Sequence, residues 1–130
     1  PVEGHRILIV DDNRDSATTL ATLLRLTGHE TSEAYDGPQA LAAADEFRPD
    51  VVLLDIGLPG LDGYSVCRRL RAEPWGRDML IIAVSGWGKP EDQRRSAAAG
   101  FDHHMVKPIK HDALTALLGG SAARQGKAAG

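Results

Sequence analysis

The chain has 130 residues, of which 42% are apolar and 25% are charged, and its formal net charge is −3. This length suits a single domain with one core, and this apolar fraction excludes wholesale disorder. The small negative charge gives no reason to expect binding to nucleic acid or to a membrane surface, and no apolar run approaches the roughly 20 residues of a membrane span.

The first strand and the first helix are predicted within the first 28 residues. Residues 6–10 are a run of mostly apolar side chains that ends directly in two carboxylates, Asp11 and Asp12. Apolar residues at helical spacing follow this run. Gly28 is placed as the residue after the helix end, because glycine adopts positive φ easily.

A second strand and helix are predicted between residues 30 and 49. Residues 30–35 have strand character but are mostly polar. Pro38 suits the first helical position, where its missing N–H group is not needed. The helix is expected to end at the Arg48-Pro49 step, because the residue before a proline resists the α conformation.

The run 51–55 is the feature around which the rest of the chain is arranged. Four apolar residues run directly into Asp55, which is typical of a strand buried on both faces of a parallel sheet. An ionised carboxylate belongs at the wet end of such a strand, because burying it alone is very costly. Gly57, Pro59 and Gly60 then break the strand and begin a loop.

A third helix is predicted to stop near Pro74, and a third strongly apolar run, 79–84, follows it and leads into Ser85. Trp87, in the loop after this strand, is expected to be partly exposed, and it marks either a contact surface or ordinary packing. Pro90 opens the fourth predicted helix, and Gly100 follows the end of that helix.

The last predicted elements are a short mixed strand and a fifth helix. The strand covers residues 102–106, and Lys107 follows it directly. Apolar residues at helical spacing between positions 113 and 118 predict the helix. From Gly119 the chain is small and polar, so we expect one domain over residues 1–118 and a flexible tail or linker over residues 119–130.

Five strands that alternate with five helices predict an α/β fold with a doubly wound, five-stranded parallel sheet. The three apolar strands belong at the centre of this sheet and the two polar strands at its edges. Right-handed crossovers and short connections then fit the strand order 2-1-3-4-5. That order has its switch point between strands 1 and 3, where ligands bind beyond the carboxyl ends of the strands.

Asp11, Asp12 and Asp55 are all expected at that point. Three carboxylates repel one another unless one is protonated or a cation lies among them, and oxygen ligands favour a hard ion such as Mg²⁺. Ser85 and Lys107, at the ends of strands 4 and 5, could bind the oxygens of a phosphoryl group. Asp55 is then positioned to act as a nucleophile that forms an acyl phosphate.

These motifs together resemble the receiver domain of two-component response regulators. The residues that carry the resemblance are Val10-Asp11-Asp12, Leu54-Asp55 with Pro59-Gly60 and Asp62-Gly63, Val84-Ser85-Gly86, and Lys107-Pro108. Each motif is weakly specific by itself, but all of them in order, each at a strand end, are highly specific. The resemblance covers about residues 6–118 and implies the flavodoxin-like (βα)5 fold, whose 2-1-3-4-5 order this family exemplifies.

The resemblance implies a metal site and a phosphoryl acceptor. Asp55 would accept the phosphoryl group from a phosphohistidine of a histidine kinase or a histidine phosphotransfer domain. Asp12, Asp55 and the backbone carbonyl of Gly57 would bind Mg²⁺, and Asp11 would assist through a water molecule. Such a domain catalyses its own phosphorylation and dephosphorylation without being a conventional enzyme.

The resemblance also implies a switch. Ser85 and Lys107 would contact the phosphoryl oxygens, and phosphorylation would shift the surface made by the fourth helix, the fifth strand and the fifth helix. A homodimer could form through the same surface. No contact of this domain with nucleic acid or membrane is expected.

Two positions depart from the family pattern. The residue three before Lys107 is usually an aromatic that swings inward on activation, and here it is His104, whose imidazole could respond to phosphate or pH instead. The position two after Asp55 is Gly57, which has no side chain. In the family that side chain influences dephosphorylation, so the sequence predicts no lifetime for the phosphoryl group.

Alternative functions and settings stay open at this point. A Mg²⁺-dependent phosphohydrolase with an aspartyl nucleophile would usually carry a second Asp at the position of Gly57, and the chain has no cap domain. A degenerate receiver would bind partners without phosphorylation, which the complete set of site residues argues against. Asp11 and Asp12 could also merely cap the first helix.

The setting of the domain is predicted from weaker signals. The single Cys67 cannot form an internal disulfide, which favours a reducing, cytoplasmic location. A stand-alone regulator and the receiver of a hybrid histidine kinase are both compatible with the sequence. The start at Pro1 and the linker-like tail are compatible with the hybrid kinase.

Overall fold

The computed structural model describes residues 4–86 and 88–119. Trp87 and residues 120–130 lie outside the described residues. The expectations for a contact surface at Trp87 and for nearly all of the tail therefore also lie outside the described part of the chain. The strands are β1 (Arg6–Val10), β2 (Glu30–Ala34), β3 (Val51–Asp55), β4 (Leu80–Ser85) and β5 (His103–Val106). The helices are α1 (Arg14–Leu26), α2 (Gly37–Phe47), α3 (Gly63–Ala72), a 3₁₀ helix (Pro74–Gly76), α4 (Pro90–Ala99) and α5 (111–119).

The five strands form one parallel sheet in the order β2-β1-β3-β4-β5, which confirms the predicted topology. All residues of β3 and β4 are buried, whereas β2 and β5 at the edges are largely half-buried or exposed. The polarity of each run therefore predicted its place in the sheet, because only central strands are covered on both faces.

The two faces of the sheet carry separate apolar layers. One layer joins alternate residues of β1, β3 and β4 to buried residues of α1 and α5, among them Leu24 and Leu114. The other layer joins the remaining strand residues to α2, α3 and the end of α4, among them Leu70 and Ala99. Cys67 of α3 lies in this second layer and is fully buried, and burial raises the pKa of its thiol to about 11.

Polar side chains fix where α1, α2 and α3 begin. Asn13, Asp36 and Asp62 each accept a hydrogen bond from the backbone N–H three residues further along, and so cap α1, α2 and α3. The cap at Asp36 makes Gly37 the first residue of α2, one position before Pro38, which was expected there. Gly100 ends α4 with a φ of 107°, a left-handed conformation that glycine adopts without a steric cost.

Candidate functional site

The carboxyl ends of the central strands bring the predicted acidic residues together. Val10 pairs with Leu54 in the parallel register, so Asp11, which follows β1, lies beside Asp55, the last residue of β3. Asp11, Asp12 and Asp55 each present a carboxylate oxygen, and these oxygens all lie within 4.8 Å of one another. The acidic cluster expected from the strand ends is therefore formed.

Burial differs sharply within this cluster. Asp12 is exposed, but Asp55 is only 7% exposed and Asp11 only 8%. Asp55 is thus less accessible to solvent than the sequence predicted for a carboxylate at the end of a strand. A buried carboxylate needs hydrogen bonds and a counter-charge, and the surroundings of Asp55 supply both.

The two oxygens of Asp55 have different partners. Oδ1 accepts a hydrogen bond from the backbone N–H of Gly57 at 2.7 Å. Oδ2 accepts one from the ammonium of Lys107 at 2.8 Å. A Cβ atom at position 57 would lie 3.3 Å from Oδ1, so the glycine leaves this side of the carboxylate uncrowded.

Asp11 is held from both sides in the same way. Its Oδ1 accepts the backbone N–H of Asn13 at 2.9 Å, and its Oδ2 lies 3.2 Å from Nζ of Lys107. The side chain that caps α1 is Asn13, which accepts from Ser16. The alternative that Asp11 and Asp12 serve as the helix cap is therefore wrong, because the cap position falls one residue later.

Lys107 is the cation of the site. It follows β5, and its peptide bond to Pro108 is cis. Burial by itself would lower the pKa of Lys107, but hydrogen bonds and charge from Asp55 and Asp11 outweigh burial and raise that pKa. The ammonium therefore stays charged at neutral pH and compensates the two buried carboxylates.

The donor set fits a hard divalent cation. Among the residues that the structure describes, the side chains that could hold an ion here are three carboxylates. One of them faces solvent, and the Lys107 ammonium balances only part of their charge. Such oxygen-rich, partly hydrated sites suit Mg²⁺ better than the transition metals that histidine or cysteine would select. Asp11, Asp12 and Asp55 are the carboxylates that could hold such an ion.

A cleft of about 550 Å³ opens beside the acidic cluster. Asp11, Asp55 and Lys107 line this cleft together with polar and apolar side chains of α1, strand ends of the sheet and the segment after β5. Leu23 of α1, which also lines the cleft, is 43% exposed.

Ser85 and His104 form a second cluster next to the first. Oγ of Ser85 lies 2.6 Å from Nε2 of His104 and accepts the backbone N–H of Gly88 at 3.1 Å. The other imidazole nitrogen of His104, Nδ1, lies 3.1 Å from Oγ of Ser96 in α4. Burial lowers the pKa of His104, and the nearby carboxylate of Asp92 opposes that effect.

Ser96 is the residue of this cluster that the sequence reasoning missed. It is 2% exposed, and its hydroxyl donates to the carbonyl of Asp92 one turn earlier. A serine three residues before the buried Ala99 occupies the inner face of α4, and this polar interruption was the available signal. His103, the neighbour of His104, is exposed on the opposite face of the strand.

Comparison with known proteins points to one family. The family model described as the response regulator receiver domain matches residues 7–119. The transcriptional regulatory protein PrrA of Mycobacterium leprae is 39% identical over 128 residues, which are 98% of this chain and 54% of that protein. The DNA-binding response regulator MtrA of Mycolicibacterium paratuberculosis is 40% identical over 113 residues, covering 87% of this chain and 49% of that protein.

A solved structure extends the likeness to three dimensions. The receiver domain of the sensor histidine kinase PA1611 from Pseudomonas aeruginosa PAO1 superposes with a TM-score of 0.80 at 36% identity. The match covers 89% of this chain and 95% of that domain, which holds a magnesium ion in its active-site cleft. The chain spans about half the length of the curated relatives PrrA and MtrA.

Proposed function

The chain belongs to the family of response regulator receiver domains, and we propose that it accepts a phosphoryl group on Asp55 from a phosphohistidine of a partner protein. The observation that carries this proposal is the environment of Asp55. Its carboxylate ends the central strand, is held by Lys107 at 2.8 Å, and shares its surroundings with two further carboxylates. Neither a cap nor a core position explains that arrangement.

The proposed transfer is a displacement at phosphorus. A carboxylate oxygen of Asp55 forms the new P–O bond, the P–N bond to the donor imidazole breaks, and its electron pair stays on that nitrogen. Lys107 remains protonated and moves its hydrogen bond from Asp55 to a phosphoryl oxygen. Asp12, Asp55 and the Gly57 carbonyl would hold Mg²⁺, with Asp11 assisting through water. The bound ion would neutralise negative charge on the transferring phosphoryl group.

The proposal includes a change at the α4-β5-α5 surface. Ser85, at the end of β4, is the hydroxyl that would contact the phosphoryl oxygens, and its hydrogen bond to His104 links β4 to β5. His104 in turn contacts Ser96 of α4. A movement of Ser85 towards a phosphoryl group therefore has a connected path to that surface, which could also mediate a homodimer.

The setting of the domain forms a coarser part of the proposal. We propose a histidine kinase or phosphotransfer domain as the donor, a cytoplasmic location, and a receiver over residues 1–118 followed by a linker. Among the described helices, none combines the length and the hydrophobicity that crossing a membrane requires. The relatives carry this domain both in DNA-binding regulators and in a sensor histidine kinase, so either output is compatible with the receiver.

The test is the mass of the intact protein after incubation with Mg²⁺ and acetyl phosphate. We expect one phosphoryl adduct per chain and its loss in Asp55→Asn. Asp78→Asn is the matched control, because Asp78 is an exposed carboxylate in the turn before β4. An adduct that persists in Asp55→Asn, or no adduct in the folded wild-type protein with any phosphoryl donor, contradicts the proposal. Repeated turnover of phosphoesters would support the phosphohydrolase instead.

A further inference from the structure

The hydrogen bonds around His104 determine which ring nitrogen carries the hydrogen when the imidazole is neutral. The hydroxyl of Ser96 has one hydrogen, which it donates to the carbonyl of Asp92 at 2.8 Å. Ser96 can therefore only accept from Nδ1 of His104, which lies 3.1 Å away. A neutral imidazole with its hydrogen on Nδ1 has a lone pair on Nε2, so Ser85 must donate to that nitrogen across 2.6 Å.

This assignment leaves Ser85 with no hydrogen for another acceptor. Its one hydrogen points at His104, and its oxygen accepts the backbone N–H of Gly88. Both neighbouring hydroxyls are nearly inaccessible to water, with Ser85 4% and Ser96 2% exposed. Water cannot readily replace a hydrogen-bond partner in the series Ser96–His104–Ser85. A change of donor or acceptor role at one group therefore requires a matching change at its neighbour.

Contact with a phosphoryl oxygen requires the hydrogen that Ser85 now gives to His104. If Ser85 simply turned away, Nε2 would be left as a half-buried acceptor without a donor, which is costly. If Nε2 instead takes up a proton, it donates to Ser85, and the Ser85 hydroxyl is free to donate to the phosphoryl group. The second arrangement satisfies every group, and Nδ1 keeps its bond to Ser96.

We propose that His104 is a positioning residue for Ser85 and that phosphorylation of Asp55 is coupled to the uptake of one proton at Nε2 of His104. This inference rests on the proposed phosphoryl transfer to Asp55. The proton comes from solvent and forms one N–H bond, and no bond to phosphorus changes in this step. Because the coupling is reciprocal, protonation of His104 favours the phosphorylated state of Asp55 by the same free energy by which phosphorylation favours the protonated imidazole.

The charges around the imidazole are compatible with both states. From α4, Asp92 faces His104 and favours the imidazolium, and Arg95 of the same helix lies over the ring of Tyr64 in α3, 4.2 Å from the ring centroid. From β4, the facing group is the neutral Ser85. Burial outweighs Asp92 and lowers the pKa of His104 in the unphosphorylated domain, and up to two negative charges on Asp55 would act in the opposite direction.

The direct test is ¹⁵N NMR of the histidine side chains of the intact chain between about pH 5 and 8, the range in which histidines titrate. The spectra are compared with and without Mg²⁺ and beryllofluoride, a stable analogue of the aspartyl phosphate. We expect His104 to carry its hydrogen on Nδ1 without the analogue and to bind a proton about tenfold more tightly with it, a change of one pKa unit. A hydrogen on Nε2 in the free domain, or an unchanged titration when the analogue is bound, overturns the proposal.

Two variants measure the same coupling from the other side. The affinity for beryllofluoride should rise up to about tenfold from pH 8 to 6 in the wild type relative to His104→Gln, whose amide cannot take up a proton. His103→Gln is the matched control, because His103 is the exposed neighbour on β5, and it should keep the wild-type pH dependence. The same pH dependence in His104→Gln and in the wild type would refute proton coupling.

The outcomes separate this inference from the proposed function. If the folded wild-type protein takes neither a phosphoryl group nor beryllofluoride at Asp55, the proposed function fails and the coupling fails with it. If Asp55 is modified while His104 titrates as before, the function stands and only the coupling fails. The wild-type NMR titration decides the matter even if His104→Gln does not fold.

Discussion

The ammonium of Lys107 donates a hydrogen bond to Oδ2 of Asp55 at 2.8 Å, and this contact joins two strand ends that are not neighbours in the sheet. Asp55 ends β3 and Lys107 follows β5, with β4 between them. The long lysine side chain crosses that gap above the end of β4. Lys107 thereby places a positive charge beside the carboxylate of Asp55.

Lys107→Met should raise the affinity for Mg²⁺ about tenfold, a change of about 1.4 kcal/mol. The ammonium forms ion pairs with Asp55 and Asp11, so it competes with the metal for the same carboxylates. Isothermal titration calorimetry measures the affinity, and Lys110→Met, an exposed lysine, is the control. The same variant should lose most phosphoryl adduct, because the phosphoryl oxygens lose their cation. Weaker Mg²⁺ binding than in the wild type would show that Lys107 does not compete.

Asp12→Asn should stabilise the metal-free protein by up to about 1 kcal/mol, since it removes one of three mutually repelling charges. At saturating Mg²⁺ the order should reverse, because the wild type gains binding free energy that the variant lacks. Urea unfolding with EDTA and with Mg²⁺ measures both effects. Asp78→Asn should not change its order of stability relative to the wild type when Mg²⁺ is added. The same difference in unfolding free energy between Asp12→Asn and the wild type with EDTA and with Mg²⁺ would exclude Asp12 as a ligand.

His29 should make the protein less stable as the pH falls. The backbone N–H of His5 donates to Nδ1 of His29 at 2.9 Å, a contact that holds while this nitrogen is unprotonated. Burial, then the nearby His5, lowers the pKa of His29 below its ordinary 6.5, and Asp50 partly offsets this. In the pH range just below 6.5 the unfolded chain therefore binds more protons than the folded one. The free energy of unfolding consequently decreases as the pH is lowered through this range.

The measurement for His29 is the slope of unfolding free energy against pH rather than its absolute value. We expect a shallower slope in His29→Gln than in the wild type between the folded pKa and 6.5. His103→Gln is the control, since His103 is exposed on β5. An unchanged slope in His29→Gln would mean that this imidazole binds protons equally in both states.

Arg71→Ala should lower the free energy of unfolding by about 3 kcal/mol. The guanidinium of Arg71 donates to Asp102 at 2.7 Å and to the carbonyls of Met79 at 2.7 Å and Gly100 at 3.0 Å. It thereby ties α3 to both ends of the segment that contains β4 and α4. Urea unfolding of Arg71→Ala against Arg68→Ala, an exposed position on the same helix, measures the effect. Equal midpoints would assign Arg71 no structural role.

Local patterns predicted most of the fold because burial selects residue types along the chain. The apolar runs before Asp11, Asp55 and Ser85 are central strands, and the polar runs are the sheet edges. Element ends were less certain: α2 begins at Gly37 rather than Pro38, because the side chain of Asp36 forms the cap. Neither Arg71 nor Ser96 stood out in the sequence, since an arginine or a serine in a helix is usually exposed.

The sequence by itself determined which carboxylates meet, because parallel strands in a known order bring their carboxyl ends to one edge. It could not determine what each polar group binds. That Lys107 reaches Asp55, and that Ser85 lies within hydrogen-bond distance of His104, depends on distances of a few ångströms between elements that are far apart in the chain. Hydrogen bonds require such distances and angles, whereas burial requires only apolar surface, so the tertiary structure alone decided the partners in the site.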